Sequence, residues 1–201
     1  MEESFERTAW NARYEQHHHI WSTEPDPLLV ECVESLEPST AIDLGAGEGR
    51  NALWLAQQGW NVTAVDVSDI ALQRLAERAG ESQVSIRTLA LRFKEYFALG
   101  EKAGLVVAAN IHPEVHQRAA FFNHVIDCVA LDGYLFVIGH HRDSLGMAGP
   151  PDTDRLFTEE ILREGFAPLE ILRCDVIRGV SDLPGHEEAP SVAIWARNRT
   201  S

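Results

Sequence analysis

The stretch Asp43-Leu44-Gly45-Ala46-Gly47-Glu48-Gly49 carries the most explicit chemistry in the chain. Small residues let a backbone approach a ligand closely, and a helix beginning just beyond them presents unpaired N–H donors. A second carboxylate, Asp66, lies 21 residues beyond Gly45. At the end of a strand it can accept both hydrogen bonds of a ribose diol, or it can cap the helix that begins near Ser68. The glycines fall at offsets 0, 2 and 4, whereas the dinucleotide fingerprint G-x-G-x-x-G places its third glycine one residue later. Asp43, two residues before the first glycine, would repel a pyrophosphate and attract an ammonium. The expected ligand is therefore a nucleoside with a cationic, amino-acid-like end, not NAD. A phosphate-binding P-loop is excluded because no GxxxxGK[ST] pattern occurs and the only lysines are Lys94 and Lys102.

These residues need a strand on either side and a helix between. Thr40–Leu44 reads as the first strand, 50–58 as a helix stopped by Gly59, and Asn61–Val65 as a second strand ending in Asp66. Ser68 caps a third helix with Leu72, Leu75 and Ala79 as its apolar stripe. Upstream, Phe5 to His19 reads as a helical arm, and Leu28 to Leu36 as a second helix, the acidic 1–38 segment forming a cap. Downstream, Val84–Leu91 reads as a strand and Leu105–Ala109 as a strand covered on both faces. A long helix from Glu114 follows, with Phe121, Phe122, Val125, Ile126 and Val129 on one side. Asp132-Gly133 then turns into a strand at Tyr134–Ile138. Gly139 to Asp154 reads as a functional loop or lid, and Thr158 caps a short helix ending at Gly165. Strands near Leu169–Val176 and Val192–Ala196, joined through Pro184, Gly185 and His186, are expected to pair as an antiparallel hairpin. Such alternation implies one α/β domain over 1–201 with a mainly parallel sheet.

Charge narrows the partners. Seventeen basic residues face 31 acidic ones for a net charge of −14, with nine of the acidic side chains in residues 1–40. Such a surface repels phosphate backbones, so a small molecule is expected as partner and nucleic acid is not. No run reaches the roughly 20 apolar residues that span a bilayer. The opening MEESFERTAW lacks a secretory signal, which makes the cytoplasm the expected location. Cys32, Cys128 and Cys174 form no CxxC pair and read as free thiols.

Asp43 to Gly49 followed by Asp66-Val67-Ser68 resembles the class I S-adenosylmethionine-dependent methyltransferases. The strings WNARY (10–14), IWSTEPDPLL (20–29) and AIDLGAGEGRNALWLAQQGWNVTAVDVS (41–68) resemble the small bacterial subgroup related to tellurite-resistance and thiopurine methyltransferases. The resemblance implies a Rossmann-like sandwich, with a seven-stranded, mostly parallel sheet, a C-terminal antiparallel hairpin and helices on both faces. It further implies S-adenosyl-L-methionine as cofactor and methyl transfer to a small thiol, amine or metalloid-derived acceptor. Asp43, Gly45, Ala46, Gly47 and Gly49 would then hold the methionine moiety, and Asp66 the ribose. Val67, Ser68 and Leu91 would flank the adenine, Asn51 would fix the turn, and Asn110 would face the cofactor. Trp10, Arg13, Tyr14 and Trp21 match a segment that folds over the cofactor in relatives, although helix-to-core packing explains Trp10 and Tyr14 equally well.

One departure from the family pattern matters. Relatives place an acidic residue after the third strand to bind the adenine amino group, whereas this chain has none until Glu95. A protein that binds S-adenosylmethionine or S-adenosylhomocysteine without turnover is thus the alternative. Among nine histidines, His112, His140 and His141 follow strands four and five and are the candidate general bases. No metal-ligand spacing such as HExxH occurs, so no metal site is expected. Monomer and homodimer stay open.

Overall fold

The computed structural model describes residues 2–17, 20–179 and 188–199. The chain divides into two compact units, residues 1–100 and 101–201. In the first unit, α1 (Glu2–Gln16) and α2 (Pro27–Val33) precede β1 (Thr40–Leu44), α3 (Arg50–Gln57) and β2 (Asn61–Asp66). They are followed by α4 (Asp69–Glu81), β3 (Ile86–Ala90) and α5 (Phe93–Phe97). The second unit runs β4 (Ala103–Ala109), α6 (Val115–Asp127), β5 (Val129–His140), α7 (Glu159–Gly165), β6 (Glu170–Ile177) and β7 (Ser191–Arg197). Two short 3-10 turns, Arg142–Ser144 and Thr153–Arg155, sit between β5 and α7.

Seven strands form a sheet in the order β3-β2-β1-β4-β5-β7-β6, with helices flanking both faces. β1 pairs in parallel with β2, and β2 with β3. β4 pairs in parallel with β5, while β7 runs antiparallel to both β5 and β6. The expected C-terminal hairpin is therefore present; its link through Pro184, Gly185 and His186 lies outside the described residues.

Local rules account for most boundaries. Ser68 Oγ accepts from the Ala71 N–H and Thr158 Oγ1 from the Ile161 N–H, so both anticipated caps form. Leu72, Leu75 and Ala79 are buried on α4, as the stripe required. Three expectations need correction. The second helix ends at Val33, not Leu36: Glu34 is its C-cap, and the Leu36 N–H turns back to Val33 O in a tighter turn. Val129 opens β5 and does not extend α6, which stops at Asp127. Asp132-Gly133 lies inside β5, where the register to β4 jumps from Ala103↔Val129 to Leu105↔Tyr134. Asp132 takes a φ of 60° there, so a dipeptide typical of hairpin turns serves as a bulge. The short α5 was not anticipated. Arg92 and Glu95 build its capping box, a pairing that apolar periodicity does not register.

Candidate functional site

β1 delivers Asp43 and Leu44 to the glycine turn, and β2 delivers Asp66 beside it through the Asp43↔Ala64 and Leu44↔Val65 register. Asp66 ties the two together. Its Oδ2 accepts from the Gly47 N–H at 2.8 Å and its Oδ1 from the Ser68 N–H at 2.8 Å. Ser68, not Asp66, is the cap of α4; Asp66 instead orients Ser68 while holding the glycine turn, and as a carboxylate it has acceptor capacity beyond these bonds. Burial pushes its carboxyl above the ordinary range, opposed by these backbone donors.

Gly47 and Gly49 are required for two different reasons. Gly49 is the N-cap of α3 at φ 79°, and a Cβ there would overlap Leu75 on α4. Gly47, at φ 55°, would direct a Cβ to 2.8 Å from the Tyr14 hydroxyl. The turn therefore packs against α4 on one side and against the N-terminal segment on the other.

Asp43 is completely buried, and its carboxyl is pushed up to about 7 by desolvation, countered by Arg50 and the Ala52 N–H and reinforced by Asp66. A carboxylate so placed gains its full charge when a cation arrives nearby. Asn51 acts elsewhere than expected: its Oδ1 accepts from the Asp26 N–H at 2.9 Å, which fixes the start of α2 and not the turn. Ala46 donates its N–H to Val65 O, closing the turn onto β2. Leu91 follows β3, where Arg7 donates to Ala90 O at 2.8 Å.

The segment from Trp10 to Trp21 does meet the glycine turn. Tyr14 is 2% exposed, and its hydroxyl accepts from Trp21 Nε1 at 3.3 Å. Burial and the Asp66 charge push the Tyr14 phenol above its ordinary value. Arg13 places its guanidinium 5.3 Å from the ring centres of both Trp10 and Trp21. His18 and His19 lie outside the described residues.

Two clamping residues escaped the sequence reading. Arg74 donates to Glu48 Oε1 at 2.8 Å, to Tyr14 O at 2.7 Å and to His17 O at 3.0 Å. Glu48 Oε2 accepts from the Ile20 N–H at 3.2 Å, and Arg78 donates to Glu48 O at 3.0 Å. Helix α4 thereby grips both the turn and the N-terminal segment. The only sequence signal was Arg74 and Arg78 at i, i+4 on a capped helix beside a turn that contains a glutamate. Asn11 is a third: it accepts from Ser68 Oγ at 2.7 Å and donates to Asp69 at 2.7 Å.

In the second unit, Asn110 closes β4 with φ 57° and donates its N–H to Ile138 O. His112 and His140 are 8% and 5% exposed, with rings stacked at 5.3 Å and 10°. The His140 N–H donates to His112 Nε2 at 3.2 Å, so Nδ1 carries the proton and donates to Arg155 O at 3.2 Å. Arg155 answers with two bonds to His112 O, at 3.0 and 2.6 Å. Desolvation, with His140 second, pushes the His112 imidazole down to about 3. Neither ring nitrogen of His112 is left for a substrate proton; the residue joins the β4 exit to the loop before α7. His141 Nδ1 accepts from the Asp143 N–H at 3.1 Å and caps a 3-10 turn. Glu95, the first acid after β3, binds Arg92 twice and is held down to about 2 by it.

Comparison with known proteins agrees with this geometry. The profile of a methyltransferase-domain family matches residues 41–133. A structure solved for the conversion of a disulfide bond into a thioacetal group during echinomycin biosynthesis superposes with a TM-score of 0.76 at 19% identity, over 96% of this chain and 91% of that one. The fold is the class I methyltransferase fold. TehB from Haemophilus influenzae is similar at a TM-score of 0.71 and 19% identity, over 85% of this chain and 61% of its own. A 65-residue stretch is 39% identical to Hemagglutinin 1 of Eikenella corrodens; it spans 32% of this chain but only 22% of that protein. Among the described residues no helix is long and apolar enough to cross a membrane.

Proposed function

We propose that the glycine turn binds S-adenosyl-L-methionine and that the protein transfers its methyl group to a small soft nucleophile. The observation that carries this reading is Asp66, fixed at the end of β2 by the Gly47 and Ser68 N–H groups with acceptor capacity to spare, while a second carboxylate, Asp43, lies buried behind the same turn. The residues suit such a cofactor. Asp66 would take the ribose diol and Asp43 would favour the methionine ammonium. Gly45, Ala46, Gly47 and Gly49 would let the backbone close on the ligand, with Val67, Ser68 and Leu91 around the adenine. Arg13, held between two indoles, supplies a cation suited to a carboxylate. Bound there, the cofactor supplies a sulfonium methyl.

The chain's part in that reaction is to align the acceptor and exclude water, which can furnish much of the rate. Tyr14 and Trp21 are the water-excluding groups on the turn. A thiol, selenol or reduced metalloid acceptor requires little help from a base, and His112, committed to holding a loop, offers none.

Calorimetry with S-adenosylmethionine, S-adenosylhomocysteine and NAD tests the reading. The two adenosyl ligands are expected to bind and NAD is not. Preferential NAD binding overturns it. A second reading, binding without turnover, draws on Glu95, whose carboxylate is tied to Arg92 and so is not offered to an adenine amino group. Tight binding of both adenosyl ligands with no methylation across thiol, amine and metalloid acceptors would favour it. Alanine at His112, His140 and His141 in turn would leave methylation of a thiol unchanged if no histidine serves as base.

A further inference from the structure

The walls of a recess are built by α2 with its exit and by the far end of α3. This cavity of about 370 Å³ is lined by Trp54, Trp60, Val33 and Leu36, with Glu34 and Gln58 as its polar groups. Helix α3 begins at Gly49 and has eight residues, so its rise of 1.5 Å per residue places the recess about 12 Å from the glycine turn. It lies by the starts of β1 and β2, whereas open α/β sheets bind their ligands at the carboxyl ends of the strands. The proposed methyl-transfer reading does not use it.

Its chemistry is one-sided. Residues 27–38 contribute Glu31, Glu34 and Glu37 and no lysine, arginine or histidine, and residues 51–60 contain no charged side chain. Glu34, the one charged residue in the lining, thus sets a negative rim beside an aromatic and aliphatic floor. Trp54 is half-buried and Glu34 exposed, while Trp60 is 5% exposed and forms the inner wall. Indole is the side chain whose face attracts cations most strongly, and a nearby carboxylate adds to that attraction. An uncharged apolar guest would gain from the floor alone and nothing from the rim. An anion would be repelled. The volume is near the lower bound for small-molecule sites, large enough for a compact ligand and small for a folded partner.

We propose that this recess is a binding site for a small organic cation of the quaternary-ammonium type, separate from the glycine turn. Choline and its neutral isostere 3,3-dimethylbutan-1-ol are the discriminating probes, followed by tryptophan fluorescence and calorimetry on the full chain. Choline is expected to bind and perturb the fluorescence, with the isostere weaker by about 5-fold or more, and Glu34→Gln to weaken choline by roughly 3- to 5-fold. Trp54→Leu should remove the fluorescence response, and saturating S-adenosylhomocysteine should leave choline binding unchanged. Circular dichroism confirms that each variant is folded; Glu34, being exposed, tolerates its change regardless of Trp54. Equal binding of the two probes, no binding of choline, or an unaffected Glu34→Gln variant overturns the proposal. So does a recess used for self-association, seen as a concentration-dependent mass that Trp54→Leu abolishes.

Discussion

The exits of β1 and β2 and the exits of β4 and β5 each bury ionisable groups, but to opposite effect. Around the glycine turn the buried groups are carboxylates: Asp43 is pushed up to about 7, and Asp66 is also raised. Around the β5 exit the buried groups are imidazoles, His112 and His140, and His112 is pushed down to about 3. Desolvation is the leading cause of each of these shifts, because burial disfavours whichever form is charged. What separates the regions is the use made of the hydrogen-bonding capacity. Asp66 retains acceptor capacity and Asp43 gains from a cation, so under the proposed reading a ligand completes the first region. His112 has both ring nitrogens engaged by His140 and Arg155, so that imidazole is already satisfied without one. Similar burial can therefore mark a binding site or a structural joint, and the count of satisfied donors and acceptors tells them apart.

The largest effect is expected from Asp66→Ala. Two charge-assisted hydrogen bonds at roughly 1.5–3 kcal/mol each predict about a 100-fold or greater loss of S-adenosylhomocysteine affinity. Titration of His112→Phe with the same ligand should remain within about twofold of the parent, since the stack is kept and only loop bonds are lost. Comparable losses in the two variants would erase the distinction between the regions.

Next in size is Gly49→Ala. A Cβ in a left-handed position that overlaps Leu75 should cost about 2–4 kcal/mol in urea unfolding. An unchanged midpoint would show that the turn does not depend on its contact with α4.

Acid and alkaline stability sharpen the comparison further. For His112 the folded value lies below the unfolded one, so its contribution is full above about pH 6.5 and is lost as pH falls toward 3. In His112→Phe that part of the acid limb should flatten, and the unpaired His140 N–H and Arg155 carbonyl should lower stability at pH 7 by about 1–3 kcal/mol. For Asp43 the folded value lies above the unfolded one, so stability is highest below pH 4 and declines as pH rises to about 7. Asp43→Asn should melt about 2–4 °C higher than the parent at pH 8 for each kcal/mol relieved, the difference closing toward pH 4. The two slopes oppose each other in the intact protein, and each becomes visible only when the other group is replaced.

The smallest expected change is from Glu48→Gln. The amide still accepts from the Ile20 N–H but loses its charge attraction to Arg74, an arginine with 26% side-chain exposure. A loss of stability within about 1 kcal/mol is expected. Any larger change in ligand affinity would show that the Arg74 clamp on Tyr14 and His17 shapes the site.

Much of this arrangement was legible in the residue order. The strand, glycine turn, helix and second strand between Thr40 and Asp66 announce themselves because turn chemistry, caps and apolar runs are local signals. The same locality explains the misreadings. Asp132-Gly133 looks like a hairpin turn in isolation, yet the pairing of the flanking Val129 and Tyr134 with β4 and the bonds of the dipeptide to Asn198 hold it within β5. Asn51 sits beside the glycine turn in sequence but reaches back to Asp26, 25 residues earlier. The Glu48–Arg74 clamp joins segments 26 residues apart, a pairing no period encodes.

The sequence by itself determined the order of strands and helices apart from the short α5, the glycine turn with its two carboxylates, and the acidic balance of the chain. Each is set by side-chain types acting over a few neighbouring positions. Only the tertiary structure decided which polar groups are spoken for: that Asp66 holds Gly47, that Tyr14 lies against the turn, and that His112 is bound on both sides of its ring. Saturation of a donor or acceptor depends on partners brought from distant segments by packing, and that information exists only once the chain has folded.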